Sequence, residues 1–132
     1  MKYLLGLCFL SFMAWGGEIQ WNDSYDQALL KAKKENKPLM VLITTENCRY
    51  CRKLEATTLQ DEGVIAKMNT HFQTVHVTKD KSIYPKTLKT KMVPTTYFID
   101  PRDNKVVYSI PGFWDAEDYT SILDDATRKY TK

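Results

Sequence analysis

The chain has 132 residues, with 19 lysine and arginine residues against 16 aspartate and glutamate residues, and a formal net charge of +3 at pH 7. This length suits one domain with a hydrophobic core of its own. No basic run is longer than Lys33-Lys34, so the sequence lacks the electrostatic footprint of a nucleic-acid-binding protein.

Residues 1–16 predict a secretory signal peptide. Lys2 is their only charge, residues 4–13 are mostly apolar, and Ala14-Trp15-Gly16 supplies small residues where a cleavage site needs them. We expect cleavage after Gly16, with Gly17 nearly as suitable, and an uncleaved anchor is the alternative. The apolar run is too short to span a bilayer stably. Residues 17–132 would then form one exported domain, periplasmic or secreted.

Cleavage would leave two cysteines in the mature chain. Cys8 would be removed, and Leu7 stands where a lipoprotein site needs a small residue. Cys48 and Cys51 would remain, in an exported protein where disulfides persist. A disulfide across two intervening residues closes a very short loop and stabilises a fold less than a long-range bridge. This spacing favours a reactive pair over a structural one.

The first elements of the mature chain alternate between helix and strand. Asn22 or Asp23 is expected to cap a first helix, which Asn36-Lys37-Pro38 ends. Residues 39–43 are entirely apolar, which is typical of a strand buried on both faces. Residues 44–47 form a loop. Helical spacing follows from Cys48, and a further helical turn or two is predicted around residues 64–68. The apolar stripe of the first helix comprises Tyr25, Ala28, Leu29 and Ala32.

The later elements are predicted to be three strands and a helix. The strands cover residues 72–77, 95–99 and 106–110, and a turn at residues 101–104 joins the last two. Residues 81–91 are polar and predict a short helix or a turn. Asp115 and Asp118 are expected to cap the last helix. The order of elements predicts an α/β fold with a central mixed four-stranded sheet flanked by helices.

The motif Cys48-Arg49-Tyr50-Cys51 has the clearest chemical meaning. A C-x-x-C pair at the start of a helix is the arrangement that reversible dithiol–disulfide chemistry needs. Free N–H groups and the helix dipole stabilise a thiolate there, so Cys48 is the expected nucleophile. Cys51, one turn into the helix, is the expected shielded, resolving thiol. Arg49 either favours the thiolate further or is a solvated surface side chain.

Two metal-based readings of the cysteines fit less well. Cys48 and Cys51 with His71 and His76 resemble a zinc finger, but 19 residues separate Cys51 from His71. That gap exceeds the roughly 12 to 15 residues of such fingers and contains a predicted helix. A c-type haem site needs histidine directly after the second cysteine, where this chain has Arg52. We predict no metal and no other cofactor.

The chain resembles the thioredoxin-fold thiol–disulfide oxidoreductases, especially small exported thioredoxin-like proteins and the C-terminal thioredoxin-like domain of transmembrane disulfide reductases. The matching features are the end of the first helix, the apolar strand, C-R-Y-C, Val93-Pro94-Thr95, Phe98-Ile99-Asp100 and Gly112. The resemblance implies a thioredoxin fold for residues 17–132 and a cis Pro94 beside the cysteines. It also implies that Val93 offers backbone groups to an extended substrate.

Two departures from that family concern the surroundings of the cysteines. Many thioredoxins carry a buried acid six residues before the first cysteine, where this chain has Leu42. Another proton acceptor would then serve Cys51. Glu46 and His76 are the candidates, although a loop glutamate is often only solvated and a strand histidine often only packed. The tryptophan that usually precedes the first cysteine is Asn47 here, which makes the surface more polar.

The predicted function is an exported thiol–disulfide oxidoreductase, a reductase or electron carrier for protein thiols. Its partners would be protein thiol and disulfide substrates and a membrane thiol-reductase as electron donor, and it would be a monomer. The alternatives are a redox-silent scaffold that binds extended peptides along Val93, or a disulfide oxidase or isomerase. The intervening residues Arg49 and Tyr50 tune the potential, and a cation at Arg49 would make the disulfide more oxidising.

Overall fold

The computed structural model describes residues 17–132, so the expected signal peptide lies outside the described residues. The described part contains five strands, four α-helices and a short 3₁₀ turn at Thr58–Gln60. In chain order the elements are β1 (Trp21–Asn22), α1 (Tyr25–Glu35), β2 (Leu39–Thr44), α2 (Arg49–Ala56), α3 (Glu62–His71), β3 (Gln73–Thr78), β4 (Thr95–Asp100), β5 (Lys105–Pro111) and α4 (Ala116–Thr131). Of the helices between residues 17 and 132, none has the length and apolarity needed to cross a lipid bilayer.

The strands form one mixed sheet in the order β1-β3-β2-β4-β5. β3 is parallel to both β1 and β2, whereas β4 is antiparallel to β2 and to β5. The predicted α/β architecture is confirmed, but the predicted four-stranded sheet is corrected to five strands. The additional strand β1 has two residues, too few to show a hydrophobic period. The side-chain amide of Asn22 helps to hold it by donating to the carbonyl oxygen of Thr74 at 3.0 Å.

Strand β2 separates two hydrophobic clusters. All six of its residues are buried. The apolar sequence of residues 39–43 predicts this for five of them, whereas Thr44, predicted to begin the loop, extends the strand by one residue. Because successive side chains alternate between faces, Met40 and Leu42 point to one side and Val41 and Ile43 to the other. The first cluster includes Leu54 of α2, Met68 of α3, Phe98 of β4 and Tyr119 of α4. The second includes Ala28 and Ala32 of α1. Packing on both faces holds the carboxyl end of β2 in place, and the cysteine motif follows it.

The two ends of helix α1 show one correction and one agreement. Ser24, rather than Asn22 or Asp23, caps the start, and its hydroxyl accepts from the amide of Gln27 at 3.1 Å. Asn22 is not available as a cap because it belongs to β1. Asn36 ends the helix with φ of 52°, a left-handed conformation that asparagine tolerates better than most residues.

The segment of residues 79–92 connects β3 to β4 by turns and bends, without a helix or a strand. Pro85 in its middle cannot donate the hydrogen bond that a helix would need. Leu88 is buried and Tyr84 is half-buried against the cluster on the α1 side of the sheet. These two side chains hold the segment against the domain, next to Val93.

Candidate active site

Cys48 and Cys51 form a disulfide at the junction between β2 and α2. Cys48 is the N-cap of α2, and the amide of Cys51 donates to its Sγ at 3.1 Å. The two Cα atoms are 5.2 Å apart, within the usual range for a bridge. An amide aimed at Sγ from the first turn of a helix would stabilise negative charge on that sulfur after reduction.

The two cysteines differ in exposure. Cys48 is half-buried, whereas Cys51 has no exposed surface. The difference follows from position, since the cap residue of α2 lies at the protein surface and Cys51 lies one turn further along, on the buried face with Leu54. An incoming sulfur atom can therefore approach Cys48 but not Cys51.

The fold brings Val93 and Pro94 next to Cys48, although 45 residues separate Val93 from it. The Sγ of Cys48 lies 3.7 Å from the carbonyl oxygen of Val93, and the Val93–Pro94 peptide bond is cis. Pro94 is buried, and its carbonyl oxygen accepts from the amide of Gly112 at 2.7 Å. Gly112 has φ of +88°, a conformation that strains any residue with a side chain. Gly112 thus allows the close hydrogen bond between its own backbone and that of Pro94.

Arg49 and Tyr50 are the first two residues of α2, and both side chains are exposed. Tyr50 is 58% exposed. Within residues 17–132, no acidic side chain forms an ion pair with Arg49. The position between the cysteines therefore presents one cation and one aromatic ring to an approaching partner.

The two proton-acceptor candidates occupy different environments. Glu46 has a side chain that is 65% exposed and pairs with Lys81 at the surface. His76 lies in β3, directly opposite Leu42 of β2 in the sheet register, with a side chain that is 29% exposed. Its Nε2 is 2.7 Å from Oγ1 of Thr44. Only His76 lies on the sheet beneath α2, next to the position of the missing acid.

Glu55 is a residue of this site that the sequence analysis missed. It follows Cys51 by four residues, so both lie on the same face of α2. Its Oε1 lies 3.5 Å from Nε2 of His76, and its Oε2 is 3.1 Å from Nε of Arg52. Its spacing of four residues from Cys51 could have placed Glu55 on the same helix face. Its pairing with His76 could not be predicted in this way, because it depends on how α2 packs on the sheet.

Burial lowers the pKa of His76 below its usual value, and this effect outweighs the Glu55 carboxylate, which raises it. The imidazole is therefore neutral at pH 7 and able to accept a proton. Trp21 covers it, with ring centroids 5.4 Å apart. A groove of about 360 Å³, lined by Trp21, Glu55 and His76 among others, gives solvent access to the pair.

The zinc-finger reading has no ligand set in the described part of the chain. Between residues 17 and 132, no group of three or more histidine, cysteine, aspartate and glutamate side chains is arranged to hold a metal ion. His71 is exposed at the end of α3, whereas His76 lies in β3.

A family model described as a thioredoxin-like domain matches residues 25–127. Among curated proteins, anterior gradient protein 3 of Xenopus tropicalis is 39% identical over 95 residues, which cover 66% of this chain and 53% of that protein. The chain thus spans about half the length of the curated relatives it matches.

Three solved structures have a similar fold. A putative disulphide isomerase from Bacteroides thetaiotaomicron is 26% identical, with a TM-score of 0.71 over 86% of this chain and 96% of that one. The oxidoreductase DsbH is 23% identical, with a TM-score of 0.70 over 86% and 87% of the two chains. The C-terminal domain of DsbD from Neisseria meningitidis is 17% identical, with a TM-score of 0.63 over 76% and 91%. At the last two levels of identity the likeness concerns the fold alone.

Proposed function

This chain belongs to the thioredoxin-like domain family, and on that premise we propose that it is an exported thiol–disulfide oxidoreductase, acting as a reductase or electron carrier for protein thiols. The observation that supports this best is the Cys48–Cys51 disulfide at the N-terminus of α2. One sulfur is accessible and the other is buried, which is the asymmetry that a nucleophile and a resolving thiol require.

The reaction starts from the reduced protein. The thiolate of Cys48 attacks one sulfur of a client disulfide, forms a mixed disulfide and releases the other client sulfur as a thiolate, which takes up a proton. The thiol of Cys51 then loses its proton and attacks Sγ of Cys48. This step restores the Cys48–Cys51 disulfide and releases the second client thiol. Two electrons pass to the client, and a dithiol donor must supply them again for turnover.

Val93 and Pro94 are proposed to hold the client segment. The carbonyl oxygen of Val93 lies 3.7 Å from Sγ of Cys48, so a strand paired with Val93 would bring its own cysteine to that sulfur. Backbone pairing of this kind tolerates many client sequences, because it uses groups that every residue has.

His76, supported by Glu55, is the proposed proton acceptor for Cys51. The imidazole is held by Thr44 and Glu55 beneath α2, whereas Glu46 is exposed and paired with Lys81. Burial lowers the pKa of His76, so its neutral form is ready to take a proton at pH 7. The groove beside the pair lets water exchange that proton with solvent.

Export is proposed from the signal-peptide pattern of residues 1–16. In the periplasm or outside the cell, the partners would be protein thiols and disulfides, and a membrane thiol-reductase would supply electrons to a monomer.

Disulfide oxidase or isomerase activity is the second candidate, and Arg49 favours it. A cation next to Cys48 with no ion-pair partner among residues 17–132 would stabilise the thiolate of the reduced protein and so make the disulfide more oxidising. The putative disulphide isomerase at 26% identity supports the same alternative. A reduction potential near the value of about −180 mV typical of a disulfide isomerase would favour this candidate, and one near −270 mV would favour the reductase.

Trapping of clients tests the proposal. The Cys51→Ser variant is expected to accumulate mixed disulfides with client proteins through Cys48, because the resolving thiol is absent. The Cys48→Ser variant is the matched control and should trap none. If the purified protein does not speed the reduction of insulin by dithiothreitol, and Cys51→Ser traps nothing, the domain is a redox-silent peptide-binding module.

A further inference from the structure

The segment of residues 79–92 borders the disulfide at both of its ends. Near its start, the amide of Lys79 donates to the carbonyl oxygen of Thr44 at 2.8 Å, and Lys81 pairs with Glu46 in the loop before Cys48. At its end it leads into Val93, whose carbonyl oxygen lies 3.7 Å from Sγ of Cys48. The segment therefore lies next to the place where a client would meet Cys48.

The segment also encloses a groove of about 560 Å³. Ile83, Tyr84 and Leu88 supply its apolar lining, and Lys79, Lys86 and Lys89 supply its cations, against the single carboxylate of Asp80. Ile83 is 89% exposed, the highest value for a large hydrophobic residue between residues 17 and 132. An exposed isoleucine beside a concave surface has apolar area available for a partner.

The charge of the segment is strongly one-sided. Residues 79–91 contain five lysines and a single acid, Asp80, whereas the full chain has 19 basic and 16 acidic residues. Within residues 17–132, Lys86, Lys89 and Lys91 form no ion pair. A lysine-rich loop can be merely solvated, but here Lys86 and Lys89 line the same groove as the exposed Ile83.

We propose that this groove, formed by residues 79–92, docks an acidic segment of the client polypeptide that also carries an apolar side chain. Carboxylates would meet Lys86 and Lys89, and the apolar side chain would cover Ile83. The inference deepens the proposed function, on which it rests, by naming the class of client that the site prefers.

Chain geometry sets where the acidic segment lies in the client. Thr90, which lines the groove, precedes Val93 by three residues, so their Cα atoms are at most about 11 Å apart. An extended client advances about 3.3 Å per residue. This span corresponds to about three extended residues and reaches only the near edge of the groove, so the acidic residues are expected more than about three positions from the reacting cysteine. The attraction should weaken with salt.

The test uses two disulfide-linked peptide homodimers of equal length. One carries Asp and Glu around a leucine five residues from its cysteine, and the other carries Asn and Gln instead. Stopped-flow rates of their reduction by the reduced protein are expected to favour the acidic peptide about tenfold at low salt, a preference that shrinks at 0.5 M salt. Equal rates for both peptides would overturn the proposal.

Charge-reversal variants show which lysines cause the preference for the acidic peptide. Lys86→Glu/Lys89→Glu should abolish it while leaving reduction of the neutral peptide unchanged. Lys33→Glu/Lys34→Glu is the matched control, because it changes the net charge equally at the end of α1, which leads into the opposite end of β2. Ile83→Ser should slow the reduction of both peptides to a similar extent at high salt, because both carry the leucine that would cover Ile83. An equal loss in both charge variants would mean attraction by net charge alone and would overturn the proposal.

A binding measurement separates this inference from the proposed reaction. Fluorescence anisotropy of labelled, cysteine-free versions of the two peptides is recorded with the oxidised protein. Stronger binding of the acidic peptide that is lost in Lys86→Glu/Lys89→Glu supports the proposed groove, even if neither homodimer is reduced. A failure to reduce either homodimer would count only against the proposed reductase activity. Equal binding of both peptides counts against the groove whatever the reduction rates are.

Discussion

The two sides of the Cys48–Cys51 disulfide are built differently. Cys51 faces the interior, where α2 packs on the sheet and where His76 and Glu55 form a partly buried polar pair. Cys48 faces outward, beside Val93 and a segment of turns that is rich in lysine. One side is defined by packing and the other by charge and backbone groups.

The difference suggests a division of labour within one short motif. A group that exchanges a proton with a buried thiol must itself be held in place, because a shift of about 1 Å can slow a reaction greatly. A surface that meets many clients gains from exposed backbone and side chains that adapt. Burial behind Cys51 and exposure around Cys48 therefore match the proposed roles of the two sulfurs, and three changes test this comparison.

The largest expected effect concerns stability. Leu54→Ala removes a fully buried side chain of α2, next to the polar pair, and should lower the free energy of unfolding by about 2–5 kcal/mol. Ile83→Ala, in the lysine-rich segment, should change it by less than about 0.5 kcal/mol, because the side chain is almost fully exposed. Urea unfolding followed by circular dichroism measures both. Similar losses for the two variants would contradict the contrast in packing.

The next effect concerns proton transfer. His76→Phe, and to a smaller extent Glu55→Gln, should slow release of a preformed Cys48 mixed disulfide by up to about 10²-fold near pH 7, because Cys51 would lack its acceptor. Loss of the acceptor should move the pH dependence of the release rate towards higher pH. A purely structural role of His76 would leave that pH dependence unchanged. Glu46→Gln is the control and should leave the rate unchanged. Slow release in Glu46→Gln alone would assign the role to Glu46.

The smallest effect concerns the pH dependence of stability. The folded state lowers the pKa of His76 through burial, so the unfolded chain binds a proton more readily at this position. Its contribution to stability is therefore complete above about pH 6.5, the usual histidine value, and is lost as the pH falls through the lower, folded-state pKa. Unfolding free energies at pH 7.5 and pH 5 should differ less in His76→Gln than in the unmodified protein. His71→Gln, changed on the exposed end of α3, should keep the full difference.

Much of the fold could be predicted because its signals are local. Five of the six buried residues of β2 form an uninterrupted apolar run, and the amide of Asp118 donates to Asp115 at the start of α4, as their spacing predicts. β1 could not be predicted, since two residues carry no period and are held by contacts with Thr74, more than 50 residues away. The N-cap of α1 was predicted to be Asn22 or Asp23 but is Ser24. Asn22 belongs to β1, which the sequence did not reveal.

The candidate site divides in the same way. C-x-x-C after a buried strand predicted the reactive cysteines from chain order and helix polarity. The position of Val93 and Pro94 beside them was predicted from the resemblance to the thioredoxin-fold family. Glu55 was missed because its partner His76 comes from another element, and the 3.5 Å contact between them exists only once α2 lies on β3.

By itself the sequence determined the chemistry. It shows two thiols separated by two residues at the start of a helix, and a Val93-Pro94-Thr95 motif that resembles the thioredoxin-fold family. Only the tertiary structure decided the surroundings of each thiol. It decided which cysteine is exposed, that His76 pairs with Glu55 of the helix that carries Cys51, and that Val93, which follows the lysine-rich segment, lies next to Cys48. The reason is physical. A helix start and an apolar strand are specified by neighbours along the chain, whereas burial and the pairing of His76 with Glu55 depend on packing between distant segments.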